Sequence, residues 1–126
     1  MSSEFELINK YFNLHKTKAY KGIGDDAALI KKDTNYLWAI STDMLNEKTH
    51  FLPNTDPFNL GWKALAVNIS DIYAMGGIPK FALLAIALPK VKVSWMEEFS
   101  NGLFSCAKKY KVELIGGDTT KGPLSI

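Results

Sequence analysis

Arginine is absent from this chain: all fifteen basic residues are lysine. No guanidinium fork is present to grip a phosphate through two parallel bonds. Any anion must be held by lysine ammonium groups, backbone N–H groups or metal ions. Cysteine is nearly absent. Cys106 stands alone, which excludes an internal disulfide and fits a reducing, cytoplasmic setting. No apolar run approaches the ~20 residues that span a bilayer. The amino terminus, MSSEFELINKYF, places glutamates where a secretory signal would carry positive charge. No membrane partner is expected. Net charge is only +2 and the lysines are scattered, so no nucleic-acid partner is expected either. Internal repeats, low-complexity stretches and linkers are missing. What remains is 126 residues, 47% apolar, enough for one globular domain over 1–126 with a modest core.

Ser3-Glu4-Phe5-Glu6 is a capping box that opens a short helix to about Phe12. Lys16 to Gly24 is a loop. Ala27–Ile30 and Tyr36–Asp43 are strands around an Asp33-Thr34-Asn35 turn. Met44 to Thr55 has no regular pattern. Asp56-Pro57 starts a helix, with Asp as cap and Pro in the first turn, that runs to about Met75 and stops at Gly76-Gly77. Phe81–Leu88 is apolar enough for a central strand. A second capping box, Ser94-Trp95-Met96-Glu97, opens a helix to about Tyr110. Val112–Ile115 is a strand broken by Gly116-Gly117, and Leu124-Ser125-Ile126 begins another. The order α, β, β, α, β, α, β, β predicts an α+β domain, a mixed or antiparallel sheet covered by helices. Because the chain stops inside an apolar strand, a truncated piece of a longer protein is expected.

Four aspartates stand in or beside apolar runs: Asp26 in GIGDDAALI, Asp43 in WAISTDML, Asp71 in LAVNISDIYAMGG and Asp118 in VELIGGDTTKG. A carboxylate there is costly unless a cation or dense hydrogen bonding compensates it. Four of them point to one convergent acidic site, the chemistry of oxygen-liganded Mg²⁺ and hence of phosphate. On the helix, Leu60, Ala64, Val67, Asp71 and Ala74 share a face, so Asp71 interrupts an inward stripe. A buried Asp held by backbone or lysine is the plainer explanation. Ser41 and Asp43 project to one side of their strand with Thr42 between them, a cluster of hard oxygen donors. An Asp that initiates a turn is the plainer explanation there. Asp25 and Asp26 are adjacent, so both are not buried unpaired. Strand alternation does not decide which of them meets a cation. Gly116 and Gly117 let the backbone approach a phosphate, or form an ordinary turn. Neither a Walker A motif nor a G-x-G-x-x-G fingerprint occurs. His50 follows Asp43 closely enough to join the site, whereas His15 ends the first helix. Cys106 reads as a helix-buried thiol.

Together these motifs resemble the thiamine-monophosphate kinase family. The matching stretches are EFELI, GIGDDAAL, STDML with His50-Phe51, NLGWKALAVNISDIYAMGGIP and LIGGDTTKGPLSI. GDDAA alone is shared with the wider aminoimidazole-ribonucleotide-synthetase-like superfamily. The resemblance implies the N-terminal ATP/Mg²⁺-binding domain of that fold, and ATP-dependent phosphorylation of thiamine monophosphate to thiamine diphosphate. By residue-to-residue match it implies metal contacts at Asp26, Ser41, Thr42, Asp43, Asp71 and Asp118. It implies ATP contacts around Gly116, Gly117 and Asp118, and a thiamine-phosphate contact at His50. It also implies a homodimer formed through N-terminal sheets. Two departures stand out. Lys121 replaces the family's usual arginine, and the family's second domain, with its further contacts, lies outside these residues.

The chemistry is consistent with the donor set. The acceptor is an already ionised phosphate, so no strong general base is required, and the barrier lies in bringing two polyanions together. Two alternatives remain: another ATP-dependent enzyme of the same superfamily, or a non-catalytic dimerising module that binds Mg²⁺ or nucleotide.

Overall fold

A computed structural model describes residues 3–126. Its elements are α1 (Glu4–Tyr11), β1 (Ala28–Lys31), β2 (Leu37–Ile40), α2 (Pro57–Ala74), β3 (Phe81–Leu88), α3 (Val93–Tyr110) and β4 (Glu113–Lys121). The α+β class is as the sequence predicts. β1 and β2 form an antiparallel hairpin, and β3 and β4 form a parallel pair joined through α3.

Local chemistry explains most boundaries. Ser3 and Glu6 form the expected capping box, each side chain accepting from the other's backbone N–H. Asp56 caps α2 by accepting from the Asn59 N–H at 2.9 Å, and Pro57 occupies the first turn. Met75 and Gly76 close the helix as expected, with Gly76 at φ +73°.

Three expectations need correction. α3 is capped by Lys92 and not by the Ser94 box, and no side chain caps it. The chain is extended at Lys92 and already helical at Val93, so Ser94 lies inside the first turn. β4 runs through Gly116-Gly117 instead of breaking there. A bulge between Ala82 and Leu83 shifts the register, and the glycines then pair with Leu83 and Leu84. At Gly117, φ is +151° and an added Cβ would stand 1.8 Å from the Leu84 carbonyl oxygen. Only glycine continues the strand at that point. Finally, β2 stops at Ile40, because its last partner is Ala28, and Ser41–Asp43 leave the ladder as irregular chain.

The core lies between the helical pair and one face of β3–β4. α2 and α3 approach closely at Gly61 and Gly102: an added Cβ would meet the Phe99 oxygen at 2.0 Å in one case and the Phe58 oxygen at 1.8 Å in the other. One cluster joins Leu45, Phe51, Leu60, Ala64, Ile86, Leu88 and Phe99. A second joins Leu65, Ile69, Leu103, Cys106, Ala107 and Val112. Cys106 is the fully buried helix thiol the sequence predicts, and burial pushes its pKa up, with Lys109 partly offsetting. The face of β3–β4 away from the helices carries exposed Phe81, Leu83 and Ile115.

The strand expected at 124–126 is reduced to isolated bridges at Ser125, paired antiparallel with Ala87 and Asn46. Ser125 exchanges backbone hydrogen bonds with Ala87 of β3, and Ile126 exchanges them with Leu45. The segment after Asp43 is thereby tied to the edge of the β3–β4 sheet. No helix among the described residues is long and apolar enough to cross a membrane.

Candidate functional site

One flank of α2 organises the site. The buried stripe of this helix is Leu60, Gly61, Ala64, Leu65 and Ile69. Asp71 therefore does not interrupt the inward face, as the periodicity predicts, but stands half-buried at its edge. The glycine contact with α3 sets the helix rotation, turning the Leu65–Ile69 line inward and Asp71 toward the hairpin. There the Ser41 hydroxyl donates to Asp71 Oδ2 at 3.3 Å. The hairpin is seated nearby, since Gly77 lies so close to β2 that an added Cβ would stand 3.7 Å from the Ala39 Cβ.

Asp43 joins the same spot. Partial burial of its carboxyl pushes its pKa above the usual carboxylate range, and hydrogen bonding to Asp71 and the Asp71 charge push it further. His50 acts in the opposite direction, as the smallest of these contributions. Two carboxylates and a hydroxyl, drawn from α2 and from the segment after β2, thus converge.

Asp25 and Asp26 border a cleft of ≈ 360 Å³ that is also lined by Ala28, Ile40, Ser41 and Thr42. The structure separates their roles. Asp25 is ion-paired with Lys21 and accepts from the Asp26 N–H at 2.9 Å. Both interactions pull the Asp25 pKa down. Asp26 keeps an exposed carboxylate on the cleft. Ser41 belongs to both places, facing the cleft and bonding to Asp71.

Asp118 stands exposed on β4, paired in register with Ala85, with Gly116 and Gly117 just before it. The single four-aspartate cluster predicted from sequence is not assembled. Among the described residues no three carboxylate, imidazole or thiol side chains converge closely enough to hold an ion by themselves. Asp26 and Asp43 come from the chain on either side of the β1–β2 hairpin, Asp71 from α2 and Asp118 from β4. A carboxylate pair next to a cleft still suits Mg²⁺, which commonly takes one or two carboxylates and completes its shell with water and substrate phosphate.

His50 sits in a built turn that sequence reasoning leaves irregular. Its Nδ1 accepts the Asn46 N–H at 2.9 Å, and its own N–H donates to the Asn46 carbonyl at 2.8 Å. Lys63, in the second turn of α2, donates to the His50 carbonyl at 2.6 Å. Neither contact has a sequence signature beyond the spacing of Lys63 and Asp71, eight residues apart along the helix.

Residues 24–126 match the model of the AIR synthase related protein family, N-terminal domain. The chain is 51% identical to the thiamine-monophosphate kinase of Buchnera aphidicola subsp. Acyrthosiphon pisum, over 98% of this chain and 39% of that protein. It is 48% identical to that of Escherichia coli (strain K12), with 98% and 39% covered. Among solved structures, one described as "AaThiL complexed with AMPPCP and TMP" superposes with a TM-score of 0.87 at 38% identity, covering 97% of this chain and 38% of that one. The thiamine-monophosphate kinase from Stenotrophomonas maltophilia K279a gives 0.66 at 45% identity, covering 90% and 36%. The chain thus spans about two fifths of the length of the relatives it matches.

Proposed function

The chain belongs to the AIR synthase related protein family through its N-terminal domain, and we propose that the protein it forms part of is a thiamine-monophosphate kinase. It transfers the γ-phosphoryl group of ATP to thiamine monophosphate and yields thiamine diphosphate and ADP. The observation that carries this reading is the meeting of Asp43, Asp71 and Ser41 beside the Asp26 cleft. It is supported by relatives about half identical over nearly all of this chain that are thiamine-monophosphate kinases, and by a neighbour solved with AMPPCP and TMP.

In this reading Asp26, Ser41, Thr42, Asp43, Asp71 and Asp118 supply oxygen ligands for Mg²⁺. The metal contributes positive charge that offsets the repulsion between the two phosphate groups. The phosphate oxygen of thiamine monophosphate forms a new bond to the γ-phosphorus as the bond from that phosphorus to the β–γ bridging oxygen breaks. No proton needs to be removed from the nucleophile, so the site requires no general base. Ser41 orients Asp71 through its hydroxyl. Gly116 and Gly117 let β4 present backbone to nucleotide phosphates beside Asp118. His50 contacts the thiamine phosphate. Lys121 offers one charge where a guanidinium fork would offer two bonds. The protein works in the cytoplasm as a homodimer, in which a second copy covers Phe81, Leu83 and Ile115.

The test is turnover by the full-length protein, given ATP, Mg²⁺ and a panel of phosphorylated acceptors, with products read by mass spectrometry. Thiamine diphosphate as the sole product of the panel is the expected result. A product from a purine precursor or selenide, with none from thiamine monophosphate, would move the protein to another branch of the family.

A further inference from the structure

We propose that Lys63 is a positioning residue for His50: through its bond to the His50 carbonyl it holds the Asn46–Phe51 turn on α2, so that the imidazole presents Nε2–H to the acceptor substrate. The inference rests on the functional reading above and extends it to a residue that touches neither substrate.

Three contacts fix this turn. Phe51 is buried in the core beside Leu45 and Leu60. On the other side of His50, Lys48 adopts a left-handed conformation at φ +70° and its N–H donates to the Phe51 carbonyl at 2.7 Å, closing the loop. The third contact is the Lys63 ammonium on the His50 carbonyl at 2.6 Å. It alone crosses from the turn to α2 by a polar bond. A charged donor to a carbonyl is stronger than a neutral hydrogen bond.

The imidazole is set by the same turn. Its Nδ1 accepts the Asn46 N–H at 2.9 Å, which places the ring proton on Nε2. Both partners of this bond belong to the turn, so a turn that changes shape once its His50 carbonyl is released from Lys63 would lose the bond and the tautomer with it. Lys63 and Asp71 lie eight residues apart on α2, about 12 Å along its axis at 1.5 Å per residue. One helix thus carries both Asp71, one half of the acidic pair, and the anchor of His50, and the anchor keeps the spacing between Asp71 and the turn constant. Lysine is the suitable residue, because a long stem must reach an exposed carbonyl and a single bond suffices there.

The experiment compares full-length wild type with Lys63→Met, Lys63→Arg, His50→Ala and the Lys63→Met/His50→Ala double variant. Lys63→Met is expected to raise KM for thiamine monophosphate about fivefold to tenfold, the scale of one lost charge-assisted hydrogen bond. KM for ATP should stay within about twofold, Lys63→Arg should recover most of the loss, and the double variant should be no worse than His50→Ala alone. Nitrogen NMR of the imidazole gives a readout independent of turnover: Nε2–H in wild type and a mixture of tautomers in Lys63→Met. Additive effects of Lys63→Met and His50→Ala, equal losses for both substrates, or an unmoved His50 spectrum would overturn the role of Lys63 while leaving the kinase reading intact. A wild type inactive on thiamine monophosphate would overturn the functional reading and this inference with it.

Discussion

At the scale of single residues, the site is a balance between carboxylates that repel and a cation that would reconcile them. Asp43 has a folded-state pKa above the ordinary aspartate value, owing first to burial and then to Asp71. The folded chain therefore binds more protons than the unfolded chain in the window just above that ordinary value, and stability falls as pH rises through it. At neutral pH the pair costs stability when no cation is bound. Asp43→Asn should accordingly raise stability in EDTA at pH 7, by about 0.5 kcal/mol given how exposed charges are screened. The gain should shrink below the ordinary carboxylate pKa and reverse when Mg²⁺ is added, as read by thermal unfolding. Asp71→Asn should leave the far-ultraviolet spectrum unchanged and lower turnover of the full-length protein at least about a hundredfold, the scale for losing a group that stabilises transition-state charge. Residue identity made Asp71 and Asp43 legible in the sequence, because carboxylates beside apolar runs demand a reason. Their meeting was not legible. It depends on the rotation of α2 set by its glycine contact with α3, and no periodicity reports that. Asp25 and Asp26 likewise became distinguishable only through the Lys21 ion pair.

Elements follow from sequence where local chemistry dictates them. α1 and α2 begin at the residues whose side chains cap them, and α2 stops at a left-handed glycine. The two strand failures share a cause, which is that partner strands decided the outcome. Gly116-Gly117 looks like a break until Leu83 and Leu84 are placed beside it, and Tyr36–Asp43 looks like one long strand until β1 runs out at Ala28. The glycines then acquire testable roles. Gly117→Ala must accommodate a Cβ against the Leu84 oxygen at an unfavourable φ, so a loss of about 2 kcal/mol or more is expected in denaturant unfolding. Gly102→Ala must push α3 off Phe58, and a loss of about 1–3 kcal/mol is expected from overpacking alone.

For the whole molecule, the fold is the N-terminal domain of the AIR synthase related family, with α2 and α3 covering one face of β3–β4 and a hairpin seated at the end of α2. The opposite sheet face leaves Leu83 72% exposed and Phe81 53% exposed, an apolar area that calls for cover. If a second copy covers this face as proposed, the full-length protein should scatter as a dimer at tens of micromolar and Leu83→Lys as a monomer, a concentration scale at which micromolar contacts persist. The sharpest consequence of the proposed function is that the Asp43–Asp71 pair holds the divalent cation used in phosphoryl transfer. Its most direct test is a Mn²⁺ titration of the full-length protein with an unreactive ATP analogue, followed by electron paramagnetic resonance, in wild type, Asp43→Asn and Asp71→Asn. Saturable binding is expected in wild type, weakened at least about tenfold by either substitution, the scale for one lost ligand or a close partner of it. Binding of equal strength in all three proteins would contradict it.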